Sequence, residues 1–183
     1  HNEHPNIQFH IYSGNADDIA NRLDKGLLDF GILIQPVSLN KYKTLYLPTS
    51  DHWGVVVKKG DPLSQNKYIT NKYLVDKPLI CSRQVLDTTL DKNDFAEWFG
   101  TQFDDLNIVS TFNLAYNAGW MVKAGLGYAI TLDSIIDTST ESELTFIPLK
   151  PKLVSKHNLV WRKDHTFSKA AQLFLDKAKA TCQ

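Results

Sequence analysis

The 183-residue sequence predicts an α/β fold in two lobes. Apolar runs of strand length alternate with helix-length patterns along the whole chain. A polar, Asn- and Lys-rich stretch from Leu63 to Lys77 reads as a traverse between lobes. A second crossing is marked by Pro148 and Pro151. The implied division puts 1–74 and 158–183 in lobe I and 75–157 in lobe II.

The elements follow in order. Ile7, Phe9 and Ile11 alternate with Gln8, His10 and Tyr12, which predicts a strand over Asn6–Tyr12. Ser13-Gly14-Asn15 breaks it. Ala16, Ile19, Ala20 and Leu23 then recur at helical spacing, with Ser13 or Asn15 as cap, Asp17 and Asp18 in the first turn and Gly26 at the exit. Asp29–Ile34 reads as a buried parallel strand, completing a strand-helix-strand unit. Trp53–Val57 is another buried strand, closed by the turn residues Lys58-Lys59-Gly60-Asp61-Pro62. In lobe II the pattern predicts a strand at Pro78–Cys81, a helix within Asp91–Phe99 and a strand at Asn107–Phe112. Asn113 caps a helix bearing Leu114, Ala118, Met121 and Val122, which Gly125 and Gly127 end. Strands at Tyr128–Leu132, Leu144–Leu149 and His157–Arg162 follow, then a terminal helix capped by Ser168. The strands are expected to be mostly parallel.

Twenty basic and twenty acidic residues give a formal charge of zero. Duplex-DNA-binding surfaces carry a basic excess, so contact with DNA by this segment is not indicated. Hydrophobic residues at 43% and charged residues at 22% are globular proportions, which excludes a disordered chain. No apolar stretch approaches the ~20 residues of a membrane span. Cys81 and Cys182 have no metal or redox spacing, and Cys81, after Pro78-Leu79-Ile80, reads as a buried free thiol. His1, His4 and His10 lack a Cys or paired carboxylate to complete a ligand set, so no metal is expected. No G-x-S-x-G is present, and Ser13 has no evident base. The glycines of Gly125-x-Gly127 follow a helix, not a strand, so they form no dinucleotide fingerprint. No cofactor is expected. Starting at His1, the chain reads as a piece of a longer protein, most compatible with a reducing cytoplasm.

In an open sheet, ligands sit beyond the carboxyl ends of parallel strands. Ser13, Gly14 and Asn15 leave the first strand there, though the same residues cap helices without any ligand. Gln35, before Pro36, follows the second strand. Ser82, Arg83 and Gln84 follow the strand that opens lobe II, and the Arg fork suits a carboxylate. Phe112 and Asn113 close the next loop, and Thr131 ends a later strand. Phe95, Trp98 and Phe99 read as core or dimer surface.

Four segments carry a family likeness, in order and over nearly the whole chain. They are Val122-Lys123-Ala124-Gly125-Leu126-Gly127-Tyr128-Ala129-Ile130; Leu23-Asp24-Lys25-Gly26-Leu27-Leu28-Asp29-Phe30-Gly31-Ile32; Trp53 to Leu63; and Leu159 to Lys163 with Ser168 to Leu175. Together they resemble the effector-binding domain of LysR-type transcriptional regulators. Thr131-Leu132 departs from the Leu-Pro often found there.

The resemblance implies two Rossmann-like lobes, as in type 2 periplasmic binding proteins, with a small-molecule cleft between them and the first strand and helix of lobe I absent. It implies a non-enzymatic bacterial regulator domain working as a homodimer or tetramer. DNA is then contacted only through an N-terminal helix-turn-helix outside this chain. A free-standing solute receptor of a transporter shares that fold, and an enzyme using Cys81 or an acid pair is the remaining alternative.

Overall fold

The computed structural model describes residues 2–87, 89–90 and 93–182. The chain gathers into two units: unit 1 is His1–Ile34, Leu39–Pro48 and His157–Gln183, and unit 2 is Gln35–Ser38 and Thr49–Lys156.

In unit 1, helix α1 spans Ala16–Asp24. Asn15 is its cap, the Oδ1 accepting from Asp18 N at 3.0 Å, and Asp17 and Asp18 lie at its positive end. Ile19 and Leu23 form the buried stripe. Strand β1, Gly31–Ile34, passes directly beneath them. A Cβ at Gly31 would stand 2.7 Å from Ile19 Cγ2, so glycine permits the helix to lie this close. The expected parallel partner is replaced by an antiparallel one. β1 pairs with β7, Val154–Arg162, in the register Gly31↔Val160 to Ile34↔His157. Apolar content marks a strand but does not encode the direction of its neighbour, and here Ile32 is 59% exposed, so β1 is only half-buried. Helix α4, Lys169–Thr181, is capped by the Ser168 hydroxyl, which accepts from Ala171 N at 3.1 Å. Its Leu175 packs with Leu159 and Trp161 against Phe30, Leu45, Leu47 and Phe167.

Asn6–Tyr12 is not a strand, so the predicted strand-helix-strand unit is lost. Its alternation is right, but no ladder forms among the described residues and Ile11 is 92% exposed. Phe9 meets Phe174 edge-on at 6.1 Å, and the Tyr12 ring lies 3.7 Å from the Arg22 guanidinium carbon.

Strand β2, Tyr42–Lys58, begins in unit 1 and ends in unit 2. In unit 2 its second half carries the predicted Trp53–Val57 run and is buried from Trp53 to Val57. It pairs antiparallel with β5, Tyr128–Leu132, on one side and with β6, Leu144–Pro148, on the other. Strand β3, Leu79–Ser82, lies between β5 and β4, Ile108–Phe112, parallel to both. The pairing is therefore mixed, not mostly parallel: the long strands that run through both units are met antiparallel, and only β3, β4 and β5 share a direction. Residues 49–74 group with unit 2, because β2 is bound there on both sides. The stretch from Leu63 to Lys77 likewise stays in unit 2. Its polar composition hides three buried residues, Leu63, Ile69 and Leu74.

Helix α2, Asp94–Phe99, buries Phe95 and Phe99, while Trp98 donates its indole N–H to the Pro151 carbonyl at 2.7 Å. Asp91 and Lys92, at the start of the predicted helix window, lie outside the described residues. Helix α3, Ala115–Lys123, lays Ala118 and Val122 on Val56, Ile80, Phe112, Ala129, Ile136 and Leu144. Its cap position is Leu114, without a side-chain bond, and not Asn113. The helix starts one residue later than the Asn113 signal requires. Gly125 ends it at φ +82°, whereas Gly127 serves a different purpose: its Cα lies against the Pro78 carbonyl, where any Cβ would collide with backbone.

Candidate ligand site

The shared direction of β3, β4 and β5 places their carboxyl ends at one edge of unit 2. Ser82 stands in register with Phe112, and Thr131 is the penultimate residue of β5, opposite Gly54 of β2. Five of the sequence-derived residues therefore share this edge or the turns leaving it: Ser82, Arg83, Gln84, Phe112 and Thr131. Asn113 follows directly and is exposed.

The expected exit loop after β3 is a capped 3-10 turn, Arg83–Leu86. The Ser82 hydroxyl accepts from Gln84 N at 3.3 Å. Gln84 in turn donates from Nε2 to the Pro36 carbonyl, which joins the Gln35–Pro36 loop to this turn. The Gln35 carbonyl accepts from Ser155 Oγ at 2.6 Å, and Ser155 Oγ accepts from Trp53 Nε1 at 2.8 Å. The loop is thus held from two sides. Arg83 is exposed and makes no ion pair among the described residues, so its guanidinium is presented to solvent. Thr131 is buried, and the Phe112 ring is spent in the core with Val56 and Ile80. Cys81, one residue before Ser82, is wholly buried, and that burial pushes its thiol up to about 12.

Ser13, Gly14 and Asn15 belong to unit 1. Asn15 is engaged as the cap of α1, and a Cβ at Gly14 would lie 3.1 Å from Asp18 Cβ. Ser13 is exposed. With Asp17 and Asp18 in the first turn, the positive end of α1 already faces two carboxylates.

Sequence reasoning missed one pair at the unit 2 edge. His52 of β2 and Asp133, just beyond β5, bond through Nδ1 and Oδ2 at 3.3 Å, and His52 N donates to Asp133 Oδ1 at 2.9 Å. The two residues lie 81 positions apart, so no local pattern links them. Asp133 does follow a strand carboxyl end, and the rule that nominated Thr131 would have nominated it too. Among the described residues no group of three or more His, Cys, Asp or Glu could hold a metal. His1, of the amino-terminal histidines, lies outside the described residues. No helix is long and apolar enough to cross a membrane among those residues.

Comparison with known proteins gives a consistent result. A family model described as the LysR substrate binding domain matches residues 1–183. Two curated Bacillus subtilis (strain 168) proteins, the uncharacterized HTH-type transcriptional regulators YwbI and YvbU, are 24% and 25% identical over 178 residues. Each alignment covers 97% of this chain, and the chain spans 58% of the length of either relative. Among solved structures, the effector-binding domain of QuiR in complex with shikimate superimposes with a TM-score of 0.76 at 20% identity, over 98% of this chain and 84% of that one. The Synechocystis PCC6803 CcmR regulatory domain in complex with 2-PG gives 0.74 at 16% identity, over 100% and 86%. These likenesses show a periplasmic-binding-protein-like α/β fold.

Proposed function

The chain belongs to the LysR substrate binding domain family, and from that premise we propose that it senses a small polar or acidic metabolite for a longer transcriptional regulator. The observation that carries this reading is the unit 2 edge, where Arg83, exposed and without an ion pair among the described residues, stands beside the tied loops of Gln35 and Gln84 and the strand ends at Ser82, Phe112, Asn113 and Thr131. Arg83 takes the carboxylate, and the hydroxyls and amides around it take the polar remainder. Ser13, Gly14 and Asn15 are further ligand residues on unit 1. Two structural neighbours are named with small-molecule ligands, shikimate and 2-PG.

The DNA contacts belong to a helix-turn-helix outside this chain, and the regulator works as a homodimer or tetramer in the cytoplasm. Support comes from the HTH-type relatives, of which this chain spans only 58%, and from its zero formal charge. We assign the domain no enzymatic role; in support, burial pushes the Cys81 thiol up to about 12, which keeps it protonated and unsuited to nucleophilic chemistry. The effector acts only through unequal affinity for the two states of the regulator.

A thermal-shift screen against small acids, amino acids, sugars and nucleosides tests the proposal. A ligand at about 100 times its Kd stabilises by about 2.7 kcal/mol, a Tm shift of roughly 5–10 °C for a chain this size. The expected hit is an acid whose shift vanishes in Arg83→Ala. A hit indifferent to Arg83→Ala sinks the assigned site.

A further inference from the structure

The His52–Asp133 clasp is over-built for a strand end. The β2–β5 register that pairs Trp53 with Leu132 runs on to set His52 opposite Asp133. Asp133 N donates to the His52 carbonyl at 2.9 Å, and one Asp133 carboxylate oxygen accepts from His52 N at the same length. Those two bonds suffice to close the ladder. The second carboxylate oxygen is nevertheless turned onto the imidazole Nδ1.

A carboxylate at Nδ1 holds the proton of a neutral imidazole on that nitrogen and leaves a lone pair on Nε2. His52 Nε2 has no protein partner among the described residues, and the side chain is 39% exposed. The clasp therefore presents an oriented acceptor to solvent. It does so beside the candidate ligand site, since Asp133 lies two residues beyond Thr131 and β5 separates β2 from β3. The β3–β5 register continues to set Ser82 level with Thr131 and hence with Gly54, two strand spacings of about 4.8 Å away. His52 stands two residues further along β2, so the His52 and Ser82 backbones lie about 12 Å apart, a gap that long side chains and a metabolite fill together. An acceptor backed by a carboxylate attracts a hydroxyl donor and repels a second carboxylate.

We propose that His52, oriented by Asp133, contacts the effector and accepts a hydrogen bond from one of its hydroxyls, so that the site selects hydroxylated monocarboxylates over their deoxy and dicarboxylate analogues. This inference rests on the effector-binding reading and narrows its ligand class. Asp133 is a positioning residue in it.

The test is titration calorimetry at pH 8. The probes are four- to seven-carbon monocarboxylates, each in hydroxylated and deoxy form, and dicarboxylates of matching length. The 183-residue protein is expected to prefer the hydroxylated form by about fivefold to tenfold. His52→Phe erases that preference while leaving the affinity for the deoxy acid unchanged. His52→Gln, which keeps an amide oxygen acceptor, restores part of it. Nitrogen NMR on the unliganded protein, independent of any variant's folding, is expected to show the His52 proton on Nδ1.

A preference that survives His52→Phe, an equal loss of both acids, or a proton on Nε2 overturns the proposal. Binding that needs Arg83 but ignores His52 overturns it alone. Failure of every probe to bind the unaltered protein overturns this inference together with the assignment of a carboxylate to Arg83.

Discussion

Residues at the unit 2 edge differ in reactivity because of which side of a strand end they occupy. Cys81 and Ser82 are neighbours, yet Ser82 is half-buried at the start of a turn and Cys81 is sealed in β3. Burial disfavours the thiolate and pushes the thiol up to about 12, so at neutral pH almost none of it is nucleophilic. Labelling with a chromogenic disulfide is expected to modify Cys182 quickly and Cys81 only at the rate of unfolding; prompt modification of both would place Cys81 in contact with solvent. Ser155 is the other residue whose role is set by its partners. Its hydroxyl gives its proton to Gln35 O and receives one from the Trp53 indole. Ser155→Ala strands the buried indole N–H and releases the loop carrying Gln35. The expected loss is about 1–3 kcal/mol, read by urea unfolding followed through tryptophan fluorescence. A loss below about 0.5 kcal/mol, the level of a surface change, would mean that the indole finds another acceptor.

At the scale of elements, caps that bond and caps that only look right are separable by mutation. Asn15→Ala removes a bond to Asp18 N and is expected to cost about 1 kcal/mol. Asn113→Ala, one residue ahead of the true cap position at Leu114, is expected to stay within about 0.5 kcal/mol. Thermal unfolding of the two variants checks both, and equal losses would restore Asn113 as a cap. The same contrast explains what the sequence revealed. α1, α4 and β5 were legible because their signals, a cap, a stripe of apolar residues and a short buried run, all lie within the element itself. The antiparallel partner of β1, the missing ladder of Asn6–Tyr12 and the unpredicted first half of β2 depend on strands brought from far along the chain. Much the same holds for the site. Ser82, Phe112 and Thr131 could be placed near strand ends from the sequence because a strand end is visible locally. The bond from Gln84 to the Pro36 carbonyl spans 48 positions, and the Trp53–Ser155 bond spans 102. Such pairs are decided by topology, which no local pattern contains.

Across the whole molecule, β2 and β7 each contribute residues to both units, so neither unit owns a complete set of strands. Loosening one unit frays a strand that the other needs, and a single cooperative unfolding transition follows. Each unit also carries a tyrosine clasped to an aspartate. In unit 1 the Tyr42 hydroxyl donates to Asp24 Oδ1 at 3.0 Å, and in unit 2 the Tyr128 hydroxyl donates to Asp61 Oδ2 at 3.0 Å. Burial, then the hydrogen bond to Asp24 and its charge, push the Tyr42 phenol up to about 12; burial and Asp61 push Tyr128 upward in the same way. A phenol whose pKa is higher folded than unfolded holds its proton more tightly in the native state. Its contribution is therefore complete below the unfolded value near 10 and is lost as pH rises through the folded value. Denaturant midpoints are expected to hold steady up to about pH 9 and to fall between about 10 and 12. Tyr42→Phe has no proton to lose and should flatten that fall, as should Tyr128→Phe. Because the units share two strands, either substitution should flatten the one common transition and not split it in two. Two resolved transitions, with each variant altering only its own, would show that the shared strands do not couple the units.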